Sequence, residues 1–112
     1  MTATVCDGSP RTLQQAASRA LVELLGLDLA ELNWHVPQTG AAAGTLVGVC
    51  DGGEAPERVD AVDAWAHHLR VTPVWRRTGT GTGGEYCAAG EHQGAPVIVR
   101  AWLPEAPMEA NA

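Results

Sequence analysis

The sequence predicts an α+β domain in which two amphipathic helices cover one face of an antiparallel sheet of about five strands. Two segments carry apolar residues at helical spacing, and five short segments are rich in alternating or β-branched residues. The connections between consecutive strands are short, which favours antiparallel pairing. At 112 residues the chain suits one domain with one modest core. We therefore predict the order α-β-β-α-β-β-β within a domain at 9–104, with a flexible N-terminus at 1–8 and a disordered polar tail at 105–112.

The first helix is predicted over residues 10–25. Ser9 is a good N-cap, and Pro10 suits the first helical position. Gly26 is a suitable stop. The apolar residues that recur at helical spacing between these signals are Leu13, Ala16, Ala17, Ala20, Leu21, Leu24 and Leu25.

Two strands are predicted to follow, at 32–36 and 45–50. In the first, Leu32, Trp34 and Val36 alternate with polar residues, which is typical of a strand with one buried face. The second is rich in valine, and Gly48 within it indicates close packing or a bulge. Residues 37–44 connect the two strands.

The second helix is predicted over 56–69, where one apolar stripe consists of Val59, Val62, Trp65, Ala66 and Leu69. Strands are predicted at 71–77, 85–90 and 96–103. The segment TGTGTGG at 78–84 is predicted to be a flexible loop, and EHQG at 91–94 a tight turn. Gly79, Gly81 and Gly84 have the spacing of a dinucleotide-binding loop. A strand follows them rather than a helix, so we expect no such cofactor.

The last strand has two apolar faces, which is the strongest indication of a binding surface. Val97, Val99, Ala101 and Leu103 point to one side, and Ile98, Arg100 and Trp102 to the other. Large apolar patches on small proteins usually make contacts, and Arg and Trp are enriched at interface centres. The interface candidates are Ile98, Arg100, Trp102, Arg76, His35 and Tyr86. Alternatively, this face is solvated, or sheet twist lets the tail or a loop cover Trp102.

A metal site is the weaker alternative. Asp63 and His67 lie one helical turn apart, and Cys50 or His92 could add ligands, as in a small metal-dependent enzyme. However, the helical angle directs His67 toward solvent in the last turn, where a cation is favoured by the helix dipole. The sequence contains neither a CxxC nor an HExxH motif. We therefore expect no metal and no cofactor.

Composition limits the remaining classes of function. The net charge of −6 disfavours nucleic-acid binding, although Arg70, Arg76, Arg77 and Arg100 leave open a regulator with a local basic patch. We expect no membrane association, because no stretch approaches the roughly 20 apolar residues of a membrane span and the N-terminus lacks a signal peptide. Three widely spaced cysteines do not indicate a disulfide framework, which favours a reduced, cytoplasmic protein.

The tetrapeptide VCDG occurs twice, at 5–8 and 49–52. A paired Cys/Asp site and an internal duplication are two interpretations. The pattern favours a third, because in each copy Asp-Gly is a turn dipeptide followed by a proline and a helical segment.

Three segments carry a resemblance: LNWHV followed by GTLVGV, the helix ERVDAVDAWAHHL, and YCAAGEHQGAPVIVRAWL. Over about residues 10–103 the chain resembles small uncharacterised α+β proteins of high-GC actinobacteria and their mobile elements. The resemblance implies the fold and no catalytic activity. In shape alone the chain is also similar to secretion chaperones and immunity proteins, which bind other proteins, often as dimers.

These observations together predict a non-enzymatic protein-interaction or regulatory module that acts through an exposed sheet face. Its expected partners are a second copy of the chain, as a homodimer, and an unidentified protein.

Overall fold

The computed structural model describes residues 10–37 and 44–107, with side chains from residue 15 onward. Helix α1 spans Pro10–Leu25 and helix α2 spans Ala55–Leu69. The five strands are β1 (Asn33–His35), β2 (Leu46–Val49), β3 (Val74–Arg77), β4 (Gly84–His92) and β5 (Ala95–Leu103). The predicted α+β class and the predicted order of elements along the chain are confirmed. The predicted flexible N-terminus and residues 108–112 of the predicted tail lie outside the described residues.

Element boundaries differ from the predictions where turn chemistry decides them. Strand β3 begins only at Val74, directly after Pro73, which has no N–H to donate to a neighbouring strand. Strands β4 and β5 are longer than predicted, because their turn contains only Gln93 and Gly94. Both residues have positive φ, 52° and 84°, as a tight two-residue hairpin requires.

The sheet has the strand order β1-β2-β5-β4-β3 and is mixed. The prediction of an antiparallel sheet holds for three of the four pairs, but β2 and β5 are parallel. Helix α2 is the reason, because a helical connection returns the chain to the same end of the sheet. Strand β3 therefore runs in the direction of β2. Two reversals, from β3 to β4 and from β4 to β5, then bring β5 alongside β2 in a parallel orientation.

The core lies between the sheet and the two helices, which are both on one side, here called the covered face. The α1 stripe of Ala17, Ala20 and Leu24 is at most 1% exposed. From β5, Val97, Val99, Ala101 and Leu103 point into the same core and are equally buried. Trp65 of α2 packs edge-to-face against Trp34 of β1, with ring centroids 5.4 Å apart.

The second VCDG copy lies at the turn that leads into α2. The two carboxylate oxygens of Asp51 accept hydrogen bonds of 2.9 and 2.8 Å from the Asn33 side-chain amide. Arg58 of α2 donates to the backbone carbonyls of Asp51, Gly52 and Trp102. Glu54 and Glu57 form a capping box at the start of the helix. This copy therefore acts as a turn before a helix; the first copy lies outside the described residues.

Candidate functional site

The candidate site is the side of the sheet opposite the helices, here called the open face. The strand registers define it row by row. One row across β3, β4 and β5 consists of Arg76, Glu85 and Trp102. The next row crosses all five strands and consists of Val74, Cys87, Arg100, Val49 and Asn33. A third row consists of Ala89, Ile98, Val47 and His35. Both described helices lie on the other side of these strands.

Apolar side chains make up much of the open face. Trp102 is 55% exposed and Val74 is 59% exposed, and both belong to the large hydrophobic residues that stand out from the described surface. Val47 is only 4% exposed although no described helix covers it, and Ile98 beside it is half-buried. The face therefore combines a buried residue on β2, Val47, with two exposed apolar residues, Trp102 on β5 and Val74 on β3.

Trp102 is held at its position by the loop between β3 and β4. Its indole lies directly against Gly83, so closely that a Cβ at Gly83 would overlap the ring. The same loop is joined to the end of β5 by a 2.8 Å hydrogen bond, which the hydroxyl of Thr82 donates to the carbonyl of Pro104. One side of the indole is thus supported, and the remainder is open to contact.

Charges of both signs surround Trp102. Glu85 lies opposite Trp102 on one neighbouring strand and opposite Arg76 on the other. Its carboxylate is also 3.9 Å from a guanidinium nitrogen of Arg100, with both side chains partly exposed. Such a pair is weak in a monomer because water screens it. These groups are nevertheless placed to pair with charges on another protein.

Cys87 lies in the middle of the open face, between Val74 and Arg100. Burial raises the pKa of its thiol, and the carboxylate of Glu85 adds to the increase. Arg76 and Arg100 act in the opposite direction, but the net pKa is above the ordinary value. The thiol is therefore protonated at neutral pH and behaves as a small apolar group with low nucleophilicity.

Five of the six predicted interface residues share the open face: His35, Arg76, Ile98, Arg100 and Trp102. The placement of Tyr86 with them is wrong. Tyr86 lies opposite Ala101 in the register, is 4% exposed and points into the covered face. Its hydroxyl donates a 2.5 Å hydrogen bond to the carboxylate of Asp63 on α2. The one-residue offset from Glu85 decides this, because alternate strand residues face opposite sides.

The predicted metal candidates do not come together with further ligands. Asp63 is engaged by Tyr86, whereas His67 is exposed on α2. Of the further ligands considered, His92 lies beside His68, with ring centroids 5.9 Å apart, and 3.4 Å from the carboxylate of Glu23. Cys50 directly follows β2. Within 10–37 and 44–107, no group of three or more His, Cys, Asp or Glu side chains is close enough to hold a metal ion.

The four arginines of the alternative basic patch are divided by the fold. Arg76 and Arg100 lie on the open face, on either side of β4. Arg77 alternates to the other side of β3, and Arg70 ends α2 in a left-handed conformation with φ of 61°. The structure therefore does not gather them into one positive surface of the kind that phosphate backbones require.

Sequence reasoning missed Val74, Glu85 and Cys87 as members of the open face. A free cysteine in a strand is usually a small buried residue, so Cys87 by itself does not indicate an exposed face. The available signal was the alternation of side chains along a strand. Val74 lies on the same side of β3 as Arg76, and Glu85 lies on the same side of β4 as Cys87. This signal became usable only with the register that pairs β3, β4 and β5.

Comparisons with known proteins identify no relative of this chain. No family model matches the chain, and neither curated proteins nor solved structures yielded a significant match. In the part of the chain that the structure describes, neither helix has the length and apolar character needed to cross a membrane. The function must therefore be argued from the geometry of the site.

Proposed function

We propose that this chain is a non-enzymatic protein-interaction module that forms a homodimer through the open face. The observation that carries the proposal is the exposure of Trp102 on a sheet surface that no described helix covers. A tryptophan that is supported on one side and exposed on the other suits an interface anchor. The exposed Val74 and the half-buried Ile98 add apolar surface elsewhere on the same face.

The mixture of charges favours a second copy as the partner. In a two-fold interface the same surface occurs on both sides, so it must complement itself. The open face meets this condition because Arg76 and Arg100 lie beside Glu85, and each sign can meet the other across a two-fold axis. A nucleic-acid partner is less well suited, since the chain carries a net charge of −6 and its arginines are divided.

The proposal is tested by sedimentation velocity on the wild type and on Trp102→Asp over a concentration series. A buried aspartate at the centre of an interface would be an unpaired charge. The dissociation constant of the dimer should therefore rise at least about thirtyfold. The matched control is Val22→Asp, which places the same charge on α1 at a residue that is 71% exposed. Valine and aspartate have similar helix propensities, so the control should leave association unchanged, and a negative charge near the end of α1 should lower stability by at most about 1 kcal/mol.

Two outcomes contradict the proposal. One is a monomeric wild type at concentrations of about tens of micromolar. The other is equal loss of the dimer in Trp102→Asp and Val22→Asp, which would place the contact elsewhere. Denaturant unfolding of each variant, below the concentration at which dimers form, separates lost association from lost folding.

A cytoplasmic location and the resemblance to actinobacterial proteins stay predictions. The free thiols of Cys50 and Cys87 are compatible with a reducing compartment. No specific geometric observation favours the metal-dependent or the nucleic-acid-binding alternative.

A further inference from the structure

A cavity of about 400 Å³ lies on the covered side of the sheet, between the end of α1 and the segment that leads to β1. We call it the leucine pocket. Its apolar lining consists of Leu24, Leu27, Leu29, Leu32, Trp34 and Trp65. This volume is within the range that small-molecule sites occupy in proteins.

The tryptophan wall of the pocket is held in place before any ligand arrives. Trp65 is 2% exposed and meets Trp34 edge-to-face at 74°. Its indole N–H donates a 2.9 Å hydrogen bond to the carbonyl of Ala30, which itself lines the pocket. This bond joins the segment after α1 to α2. A ligand would therefore meet a surface whose ordering cost is already met by folding.

The electrostatic character of the pocket is negative. Asp28 and Glu31 are among its lining residues and both are exposed, and none of the described lining residues is Arg, Lys or His. The C-terminus of α1 also opens here through Leu24 and Leu25, and its last turn contains no basic residue. The partial negative charge of a helix C-terminus therefore adds to the two carboxylates without a neutralising cation.

We propose that the leucine pocket binds a small organic ammonium ion. Its apolar body would pack against the leucines and indoles, and its ammonium group would lie toward Asp28 and Glu31. An uncharged ligand of the same shape gains only the apolar contact, and a carboxylate is repelled. The site is independent of the proposed dimer, because Trp34 and Trp65 lie on the covered side and Trp102 on the open face.

The test compares three probes of one chain length: n-hexylammonium, n-hexanol and n-hexanoate. Proton–nitrogen correlation spectra resolve the four indole N–H groups, so each tryptophan reports separately. We expect the signals of Trp34 and Trp65 to shift and those of Trp75 and Trp102 to stay. Hexylammonium should bind about tenfold more tightly than hexanol, since two partly exposed charge contacts are available. Hexanoate should bind more weakly than hexanol, and added salt should reduce only the preference for ammonium.

The double variant Asp28→Asn, Glu31→Gln identifies the carboxylates as the source of selectivity. It should weaken hexylammonium binding about tenfold and leave hexanol binding unchanged. The control Asp60→Asn, Glu91→Gln removes the same number of negative charges at exposed positions outside the pocket, and should leave both affinities unchanged. Equal affinities for hexylammonium and hexanol would overturn the proposal. So would shifts confined to Trp102, no shift at all, or an equal loss of affinity in the control.

Discussion

The two sides of strand β5 differ in what covers them rather than in how apolar they are. On the covered face, Val99 and Leu103 are at most 1% exposed beneath the helices. On the open face, Ile98 is half-buried and Trp102 is 55% exposed. The exposed side of this strand therefore carries its largest residue. The difference is the basis for the proposal that the open face is an interface.

The largest difference in stability should come from truncating one side chain on each face of β5. Leu103→Ala removes a fully buried side chain from the core and should lower the free energy of unfolding by about 2–5 kcal/mol. Trp102→Ala removes a larger side chain from the open face, yet it should cost only about 1 kcal/mol in the monomer because the indole is largely solvated. Urea unfolding at low protein concentration measures both. Equal costs would mean that the open face is part of the monomer's core.

A glycine on each face allows a second comparison, in which the expected difference in stability is smaller. A Cβ at Gly48, on the covered face, would approach Leu32 to 2.8 Å and Trp34 to 2.9 Å in closely packed surroundings. Gly48→Ala should therefore destabilise the fold by about 1–3 kcal/mol. A Cβ at Gly83 would meet the partly exposed indole of Trp102 and, at 3.2 Å, the backbone carbonyl of Leu103. The indole has solvent to move into, so Gly83→Ala should cost about 1 kcal/mol, less than Gly48→Ala.

Thermal unfolding monitored by circular dichroism would compare the two glycine variants. If Gly83→Ala proved the more damaging, Trp102 would be held as firmly as a core residue. Sedimentation of the same variant adds a second readout, since a displaced Trp102 should also weaken the proposed dimer.

The smallest effect concerns the chemistry of Cys87 and leaves stability nearly unchanged. Because burial and then Glu85 raise the pKa of the Cys87 thiol, the reactive thiolate forms only as the pH rises above the ordinary range for cysteine. Glu85→Gln should lower this pKa and increase the rate of alkylation by iodoacetamide about twofold at slightly alkaline pH. Arg100→Gln should decrease the rate, because Arg100 lowers the pKa.

The alkylation is measured by mass spectrometry in a background of Cys6→Ser and Cys50→Ser. It also reports on the open face directly. If the face closes in a dimer, the rate at Cys87 should fall as protein concentration rises. A rate independent of concentration, in a sample that sedimentation shows to be dimeric, would place the interface elsewhere.

Local signals in the sequence were sufficient to predict the helices and strands and their order along the chain. The predicted helix over residues 10–25 has the bounds of α1 in the structure. The apolar stripe of the second helix gave its position to within one residue at the start. Capping, turn chemistry and periodicity act over a few residues, so they can be recognised in a single chain.

Pairing between distant strands could not be read in the same way. The parallel alignment of β2 with β5 arises from the path through α2 and two hairpins, and no residue near either strand encodes it. The side on which Tyr86 lies depends likewise on a register set by its neighbours Trp75 and Ala101. A shift of one residue reverses every side chain of a strand.

The sequence by itself determined two helices, five strands and a last strand with two apolar faces. The sequence also predicted that both helices lie on one side. Only the tertiary structure decided the strand order and the register, which bring Cys87, Glu85 and two arginines around the exposed Trp102. It alone also formed the leucine pocket, from α1, the segment after it and two tryptophans 31 positions apart in the sequence. The physical reason is the distance along the chain over which each interaction acts. Propensity and periodicity act between neighbours, whereas a surface or a cavity requires contacts that the chain makes only once it has folded.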